Sequence, residues 1–375
     1  MPRPISATIS ISSLSHNLHT VIQQLQPDSG HASQPRPKVW AVIKANAYGH
    51  DIASAVSAFH EAEGLAMLDL DEALRCRELG WRKPILLLEG CFEPGDIRLA
   101  QAHDLTLAIH CKEQLDMLAA STATSPGLDA YVKLNTGMNR LGFSLQDFPQ
   151  AYREAMMLRE QGVLRHVGKM THFARADDDP EETRQQLETF NTVTAGLPGS
   201  ISVCNSAATL TSGLWVKVAG DEQWVRPGIC LYGSSPFADV TAGQLGLRPA
   251  MTLAAQLISV RSVDTGGAIG YGHTFRCVEP VRVGVVACGY ADGYPRHAGT
   301  GTPITVAGVR TRLLGRISMD MLVADLTPVP HAAVGSPVVL WGEGGPSVDE
   351  VAAAAGTIGY ELLCAVAPRV PKHIV

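Results

Sequence analysis

A lysine that ends an apolar segment is the first feature of this sequence with chemical potential. The stretch VWAVIKANAYGHD, residues 39–51, places Lys44 directly after a run of apolar residues. Burial disfavours the charged form of an ammonium group, so a lysine in such a place becomes a better nucleophile. A lysine whose stem is buried while its head group reaches solvent is the ordinary alternative. This position alone does not decide between the two.

Further polar residues follow other apolar segments. They are Arg140 in NTGMNRLG, His172 in KMTHF, Asn205 and Ser206 in CNSAAT, and Arg226 before PGI. Each has a structural alternative, such as a hydrogen-bonded core histidine or an arginine paired with a local carboxylate. Because all of them end strand-like segments, as Lys44 does, we expect them to converge on one functional site.

The elements that must position these residues alternate along the chain. Eight strand-like apolar segments begin at residues 38, 64, 84, 105, 129, 166, 200 and 223, and helix-like segments lie between them. This alternation predicts an α/β fold, a (β/α)8 TIM-like barrel, which we assign to residues 12–246. In such a barrel the functional groups lie at the C-terminal ends of the strands, which is where the residues above are found.

The chain becomes β-rich after residue 246. Its segments are separated by Gly and Pro turns, and one clear helical stretch lies near VDEVAAAAG. This pattern of short β-like segments predicts a mostly antiparallel C-terminal domain over residues 247–375. The early segment ISATISIS alternates like a strand, so we expect residues 3–11 to pair with that domain.

Composition narrows the class of partner. The 375 residues are 46% hydrophobic and 18% charged, which allows a large core and two domains. A formal net charge of -6 attracts neither nucleic acid nor an anionic membrane, so we expect a small polar ligand. Eight scattered cysteines without a C-x-x-C pair indicate buried thiols and no metal site. With no signal-like or membrane-length apolar run, these features predict a cytoplasmic protein.

The loops after the seventh and eighth predicted strands suit a phosphate group. NSAAT, residues 205–209, and RPGI, residues 226–229, offer a hydroxyl and free backbone N–H groups at a helix start. A lysine facing a phosphate predicts a Schiff-base enzyme, and either pyridoxal phosphate or a phosphorylated sugar fits as the carbonyl partner.

The motif AVIKANAYGHD resembles the cofactor-lysine motif of alanine racemases. Further segments that resemble this family follow in the same order: KLNTGMNRLGF, THFARAD, NSAAT, VRPGICLYG, GYGHTF, GYADGYPR, GRISMDM and GTIGYELLC. The resemblance implies a pyridoxal-phosphate enzyme that interconverts L-alanine and D-alanine, as a homodimer with active sites shared between subunits. It implies supply of D-alanine for peptidoglycan or a role in alanine catabolism, and leaves the choice between them open.

The resemblance also assigns two catalytic bases. Lys44 would bind the cofactor covalently and then act as one base, and Tyr271, from a second subunit, would act as the other. Two bases on opposite faces explain inversion, since one removes the α-proton and the other delivers a proton from the far side. Cations such as His172 and the arginines would favour the phenolate of Tyr271. Arg226 would donate to the cofactor's pyridine nitrogen and keep it unprotonated.

Binding roles follow from the same resemblance. The cofactor residues would be Lys44, Tyr48, His172, Asn205, Ser206, Arg226, Gly228, Ile229 and Tyr360. The substrate residues would be Arg140, Met319, Asp320, Tyr290 and Lys133. Lys133 is expected to be carbamylated and to hold Arg140, with an ordinary amine as the alternative. Tyr290, Tyr294 and Tyr360 would crowd the entry and favour a methyl side chain, with slow turnover of serine.

Three positions depart from the family pattern. Asn135 replaces a usual Asp, Ser202 stands where some members place a histidine that supports Arg226, and Asp51 replaces a common Gly. Asp51 would either cap the following helix or alter the loop that carries Tyr48.

Other functions remain open at this point. A racemase of broader specificity fits the same residues. A pyridoxal-phosphate decarboxylase of basic amino acids would carry a cysteine and an aspartate in place of IGYGHTF, and a non-catalytic cofactor carrier would not need the second domain.

Overall fold

Eight short parallel strands form the first sheet of the computed structural model, which describes residues 3–26, 35–122, 127–218 and 222–375. In chain order the strands are Lys38–Val42, Gly64–Met67, Ile85–Leu87, Thr106–Ile109, Leu128–Lys133, Leu164–Met170, Ile201–Ser202 and Trp224–Val225. The first strand pairs with both the second and the last. A bridge between Ile201 and Gln223 joins the remaining edge. The predicted barrel is therefore confirmed as a nearly closed one.

The barrel strands are buried on both faces, which is why they read as unbroken apolar runs. Val39, Ala41 and Leu86 have no exposed surface. Trp40 of the first strand stacks on Trp224 of the last, with 4.1 Å between ring centroids. This aromatic pair packs the two strands together at the point where the barrel closes.

Helices surround the barrel, and several begin at recognisable caps. They are Ile11–Gln24, Ile52–Ala58, Leu70–Glu78, Pro94–Ala102, Lys112–Ala119, Phe148–Glu160, Pro180–Val193 and Ser206–Leu210. The Ser10 hydroxyl accepts from the Ser13 N–H, and the Asp179 carboxylate accepts from the Glu182 N–H. Each bond satisfies an N–H group that the helix itself leaves unpaired.

The second sheet is mostly antiparallel, as predicted. Its strands, with a separate two-stranded ribbon at 268–276, are Ile5–Ile9, Met251–Val263, Ala268–Ile269, Phe275–Arg276, Val281–Val286, Pro303–Val306, Val309–Arg312, Leu322–Asp325, Pro337–Trp341 and Lys372–Ile374. Met251–Val263 is its long central strand and pairs antiparallel with three others.

The N-terminal strand Ile5–Ile9 lies in this second sheet. It pairs antiparallel with Met251–Val263 and parallel with Lys372–Ile374. The domain boundaries, 12–246 and 247–375 with residues 3–11 attached to the latter, stay a prediction.

The C-terminal part contains two helices, and the sequence analysis anticipated the first of them, near VDEVAAAAG. Val348–Ala354 begins at a capping box in which Ser347 and Glu350 satisfy each other's backbone N–H groups. The second helix, Gly359–Ala365, follows it, carries Tyr360 and was not anticipated from the sequence. Seven residues are too few for a helical period to stand out. Within the described ranges, no helix has both the length and the apolar character needed to cross a bilayer.

Candidate active site

A cavity of about 360 Å³ opens at the C-terminal ends of the barrel strands. Most of the residues predicted for the barrel half of the site line it: Lys44, Tyr48, Lys133, Arg140, His172, Asn205, Ser206, Arg226 and Gly228, with Tyr360 from the C-terminal helix. Glu89, for which the sequence suggested no role, lines it too. Ile229 follows Gly228 in the chain and is fully buried.

Lys44 is followed by a left-handed turn. The four residues after Lys44, which are Ala45, Asn46, Ala47 and Tyr48, have φ angles of 56°, 51°, 54° and 50°, respectively. Left-handed backbone costs about 1–2 kcal/mol at each residue that has a Cβ atom. Such strain persists only where the surroundings enforce it, and it is concentrated at functional sites.

Contacts from distant parts of the chain hold the end of this turn. The Lys372 ammonium donates to the Gly49 carbonyl oxygen at 2.7 Å. Gly49 has a φ of 79°, and a Cβ atom there would lie 2.3 Å from the Leu363 carbonyl oxygen. Only glycine therefore fits between the turn and the C-terminal helix.

Asn46, and not Asp51, caps the helix that follows the turn. The Asn46 side-chain oxygen accepts from the Ile52 N–H at 3.0 Å. Asp51 makes no side-chain cap bond and itself has a φ of 76°. The carboxylate at this departure from the family pattern is thus not used for capping.

Tyr48 is fixed with its ring buried. The ring stacks on Tyr232 at 4.6 Å, and Tyr232 donates its hydroxyl to the Val42 carbonyl oxygen at 2.9 Å. Burial raises the pKa of Tyr48 and of Tyr360 well above 10. Both hydroxyls therefore stay protonated and are able to donate hydrogen bonds to an anion.

Gly228 and Ser206 form a small polar cradle beside Tyr48. The Gly228 N–H donates to the Ser206 hydroxyl at 2.8 Å. A Cβ atom on Gly228 would lie 2.5 Å from the Tyr48 hydroxyl, so any side chain would fill the cradle. Asn205 shapes the loop by accepting from the Ala208 N–H at 3.1 Å.

Arg226 is a buried cation whose hydrogen bonds go to neutral groups. It donates to the Thr171 carbonyl oxygen and to the Ser202 hydroxyl, both at 2.6 Å, and lies 3.3 Å from His172 Nδ1. Burial lowers its pKa to about 10, so it remains charged at neutral pH. Ser202 thus supports the arginine at the position where some family members place a histidine.

The other bases of the cavity are shifted toward their neutral forms. Burial, and then the Arg226 charge, lowers the pKa of His172 well below 6.5. This shift favours a neutral imidazole, whereas the sequence analysis expected His172 to be a cation. Burial and the Arg140 charge lower the pKa of Lys44, and burial with the Arg226 and Arg140 charges lowers the pKa of Lys133 to about 8. Neutral amines of this kind are nucleophiles and bases.

Asn135 shapes the loop that leads to Arg140. Its side-chain oxygen accepts from the N–H groups of Gly137 at 3.1 Å and Asn139 at 3.0 Å. Its side-chain nitrogen donates to the Asn139 side-chain oxygen at 2.9 Å. The Asn135 amide therefore both accepts and donates hydrogen bonds within the loop. An Asp at this position, as is usual in the family, would supply only the acceptor.

The predicted residues of the second sheet do not line this cavity. Tyr271, Tyr290 and Met319 are exposed by 70%, 39% and 53%, respectively, and the Asp320 side chain is 44% exposed. Tyr290, Met319 and Asp320 lie near one another, since the Tyr290 N–H donates to the Ser318 carbonyl oxygen, and Gly272, next to Tyr271, closely approaches Arg316 of the same segment. The structure thus places these residues in the C-terminal part of the chain, outside the cavity that Lys44 lines.

Tyr294 does not crowd the entry, contrary to expectation. It is 1% exposed and stacks on Trp341 in the core of the second part, with ring centroids 5.7 Å apart. The motif GYADGYPR contains both tyrosines, and nothing in it distinguishes buried Tyr294 from exposed Tyr290.

Besides Glu89, the sequence analysis missed two acidic residues. The Glu72 carboxylate accepts from the Asn46 N–H at 2.6 Å. Asp292 is fully buried and binds the guanidinium groups of Arg3 and Arg369. Asp292 lies inside the motif GYADGYPR, which was a signal, whereas Glu72 looks like an ordinary residue of a helix.

Family models match nearly the whole chain. The N-terminal domain of alanine racemase matches residues 9–236, and the C-terminal domain of alanine racemase matches residues 250–374. The chain belongs to the alanine racemase family. A curated alanine racemase from Bordetella petrii is 60% identical over 373 residues, which cover 99% of each chain.

Solved structures of family members have the same fold. A biosynthetic alanine racemase from Pseudomonas aeruginosa has a TM-score of 0.90 at 44% identity and covers 100% of this chain and 99% of its own. The alanine racemase of Acinetobacter baumannii has a TM-score of 0.89 at 34% identity, with full coverage of both chains.

Alanine racemases depend on pyridoxal phosphate, and the cavity fits this cofactor. Lys44 offers an amine shifted toward its neutral form, and Gly228 leaves a cradle that any side chain would fill. Arg226 supplies a buried positive charge whose hydrogen bonds go to neutral groups. The Lys44 amine suits the aldehyde of pyridoxal phosphate, the Gly228 cradle suits its phosphate, and the Arg226 guanidinium suits its ring nitrogen.

Proposed function

We propose that this chain interconverts L-alanine and D-alanine with pyridoxal phosphate, and that Lys44 and Tyr271 are its two bases. The convergence of Lys44, Arg226 and the Gly228 cradle in one cavity carries the proposal. Full-length similarity to alanine racemases supports the same reaction.

The cofactor would be held at both ends of the cavity. Lys44 would bind its aldehyde, and its phosphate would accept hydrogen bonds from the hydroxyls of Tyr48, Ser206 and Tyr360 and from the backbone at 228–229. When bound, pyridoxal phosphate withdraws electrons from the substrate's α-carbon and so makes the α-proton removable. Asn205 would keep the phosphate loop in shape.

Arg226 would limit how far that withdrawal goes. A guanidinium that only donates hydrogen bonds keeps the ring nitrogen unprotonated. Neutral His172, 3.3 Å from Arg226, would add no second positive charge beside the guanidinium. This arrangement favours the return of a proton to the α-carbon over transfer of the amino group.

The two bases would move protons on opposite faces of the substrate. Lys44 Nζ, shifted toward its neutral form, takes or returns the α-proton on one face, and the Tyr271 hydroxyl oxygen does so on the other. Arg140 and the Met319 N–H would hold the substrate carboxylate, with Asp320 beside them. Tyr290 and Tyr360 would limit the side chain to about the size of a methyl group.

We further propose that a second copy of the chain completes each site. Tyr271, Tyr290 and Met319 are large, exposed and absent from the lining of the cavity in their own chain. Aromatic residues and methionine are enriched at protein interfaces. A homodimer in which each copy presents this surface to the other's cavity accounts for both observations.

Lys133 is proposed to carry a carbamate. Its pKa of about 8 leaves a sizeable fraction of neutral amine at physiological pH. The neutral nitrogen would bond to the carbon of CO2 and release one proton, and the resulting anion would hold Arg140. An unmodified ammonium at this position would instead repel both Arg140 and Arg226.

We also propose a cytoplasmic location. Six of the eight cysteines are buried free thiols, a state that reducing compartments preserve.

The decisive experiment gives L-alanine to the purified holoenzyme in heavy water. We expect D-alanine to form with deuterium at the α-carbon, because one base removes the proton and the other delivers a solvent-derived one. If neither D-alanine nor exchange appears while the cofactor is bound, the proposed reaction is wrong. Parallel incubation with L-serine measures how strictly the site selects the methyl side chain.

A further inference from the structure

The left-handed turn at residues 45–48 needs support from outside its own motif. None of its four residues is glycine, and each has a positive φ. Side chains with a Cβ atom strongly disfavour this conformation, so the turn relaxes unless other groups fix it. Lys372 and Gly49 fix its end, which leaves the question of what fixes its first half.

Glu72 contacts that first half. Its Oε1 accepts a hydrogen bond from the Asn46 N–H at 2.6 Å. Hydrogen bonds from an N–H group to a carboxylate are stronger than bonds between neutral groups. Glu72 belongs to the helix Leu70–Glu78 of the next barrel unit, so the bond ties the turn to a regular element.

Burial of the Glu72 carboxylate is energetically unfavourable. Its second oxygen is buried and has no hydrogen-bond partner among the described residues. Burial raises the pKa of Glu72, and the backbone N–H groups of Asn46 and Ala45 oppose that shift. An acid held in such surroundings needs a compensating role. The N–H groups that it faces belong to residues directly after Lys44.

We infer that Glu72 is a positioning residue that fixes the left-handed turn and thereby aims Lys44 and Tyr48 into the same cavity. Asn46 lies midway in sequence between Lys44 and Tyr48. Loss of the hydrogen bond from its N–H to Glu72 would therefore change the directions of both side chains together. The inference rests on the proposed cofactor roles of Lys44 and Tyr48. It adds a residue that does not line the cavity.

The test measures retention and orientation of the cofactor in the holoenzyme. Dilution of Glu72→Ala holoenzyme should release pyridoxal phosphate about tenfold faster or more than wild type, and its visible circular dichroism should change. Glu72→Gln, which keeps a side-chain oxygen acceptor, should stay close to wild type. Glu78→Ala, an exposed position on the same helix, is the matched control and should change neither signal.

A second variant tests the role of strain directly. Glycine adopts positive φ freely, so adding Ala45→Gly to Glu72→Ala should recover part of the lost retention. If Glu72→Ala does not fold, Glu72→Asp replaces it, because its shorter side chain withdraws the oxygen from Asn46.

Two results would overturn the inference. One is wild-type retention and circular dichroism in Glu72→Ala, even with a lowered melting temperature. The other is failure of glycine to rescue the single variant. Neither readout depends on which amino acid is turned over, so loss of this inference is distinguishable from failure of racemisation in the wild type.

Discussion

Arg226 donates a hydrogen bond from Nη1 to the Ser202 hydroxyl oxygen at 2.6 Å, and the Ser202 hydroxyl donates a hydrogen bond to the Trp224 carbonyl oxygen at 2.8 Å. The serine therefore links the buried guanidinium to the last barrel strand. Because this acceptor is neutral, Arg226 keeps its full charge for the cavity.

Ser202→Ala should leave the buried guanidinium short of one acceptor. We expect the free energy of unfolding to fall by about 1–3 kcal/mol, the cost of an unsatisfied buried polar group. Urea denaturation of the holoenzyme measures this loss. Ser57→Ala, on the exposed face of the helix Ile52–Ala58, is the control and should be neutral. Equal effects of the two changes would contradict the role given to Ser202.

Tyr271→Phe should keep the yellow cofactor and lose racemisation. Removal of a general acid or base costs about 10²- to 10⁴-fold in rate, and Tyr271 is not among the proposed cofactor contacts. Polarimetry gives the rate and absorbance gives the cofactor content. Val278→Ala, next to the same hairpin and 90% exposed, should retain activity. A colourless Tyr271→Phe protein would contradict the assigned roles.

A mixture of two inactive variants should recover activity if sites are shared between copies. Lys44→Ala should lose the borohydride-reducible cofactor, and Tyr271→Phe should lose one base. Random mixed dimers would contain one intact site, so a 1:1 mixture should reach about a quarter of wild-type activity. Co-expression followed by a rate assay measures it. Absence of recovery in proven mixed dimers would place both bases in one chain.

Lys133 should give a carbamate signal that depends on CO2. Incubation with ¹³C-labelled bicarbonate should produce a carbamate resonance in wild type and none in Lys133→Met. Lys133→Met should also raise the KM for alanine, because Arg140 loses its anionic support. A wild-type protein without this resonance would show that Lys133 remains an amine.

Without CO2, the same lysine should make stability depend on pH. Its folded pKa is about 8 and its ordinary value is 10.5, so below pH 8 the folded protein bears the full cost of the buried charge. Between these values the unfolded chain keeps a proton that the folded protein has lost, so stability rises with pH. Relative to Lys133→Met, wild type should gain about 1–3 kcal/mol from pH 8 to 10 in urea denaturation.

Asp292→Asn should destabilise the second sheet. Its carboxylate, fully buried, binds Arg3 and Arg369, and both arginines also contact Asp320 next to Met319. Because the side chains of Arg3 and Arg369 are 38% and 42% exposed and can be hydrated when the carboxylate is lost, we expect a loss of about 1–3 kcal/mol in the free energy of unfolding. Calorimetry measures the loss, and exposed Asp239→Asn is the control. A rise in KM should accompany it, because the Met319 loop loses its anchor; an unchanged protein would show that the arginines find other partners.

The barrel was predictable because its strands are buried on both faces. Segments such as GLAM and ILL contain no polar residue, and eight strand-like segments alternate with helices. The residues that end or follow these strands, among them Lys44, His172 and Arg226, were therefore expected to meet, whereas the role of Lys133 came only from the family resemblance.

The left-handed turn was not predictable from KANAY. Alanine favours right-handed helix, and no glycine marks positions 45–48. The conformation is imposed by Glu72, Lys372 and Leu363, which are distant in sequence. Likewise, burial of Tyr294 and neutrality of His172 depend on neighbours from other elements, such as Trp341 and Arg226.

Pairing of the first strand with the second sheet has a consequence for synthesis of the chain. Ile9 lies opposite Met251, so Ile5–Ile9 leaves the ribosome long before its antiparallel partner exists. Contacts between such distant residues form slowly, because a long loop must close first. The barrel can therefore assemble while Ile5–Ile9 is an unpaired edge, which is the state most open to aggregation. A chain stopped after residue 246 would retain that edge permanently.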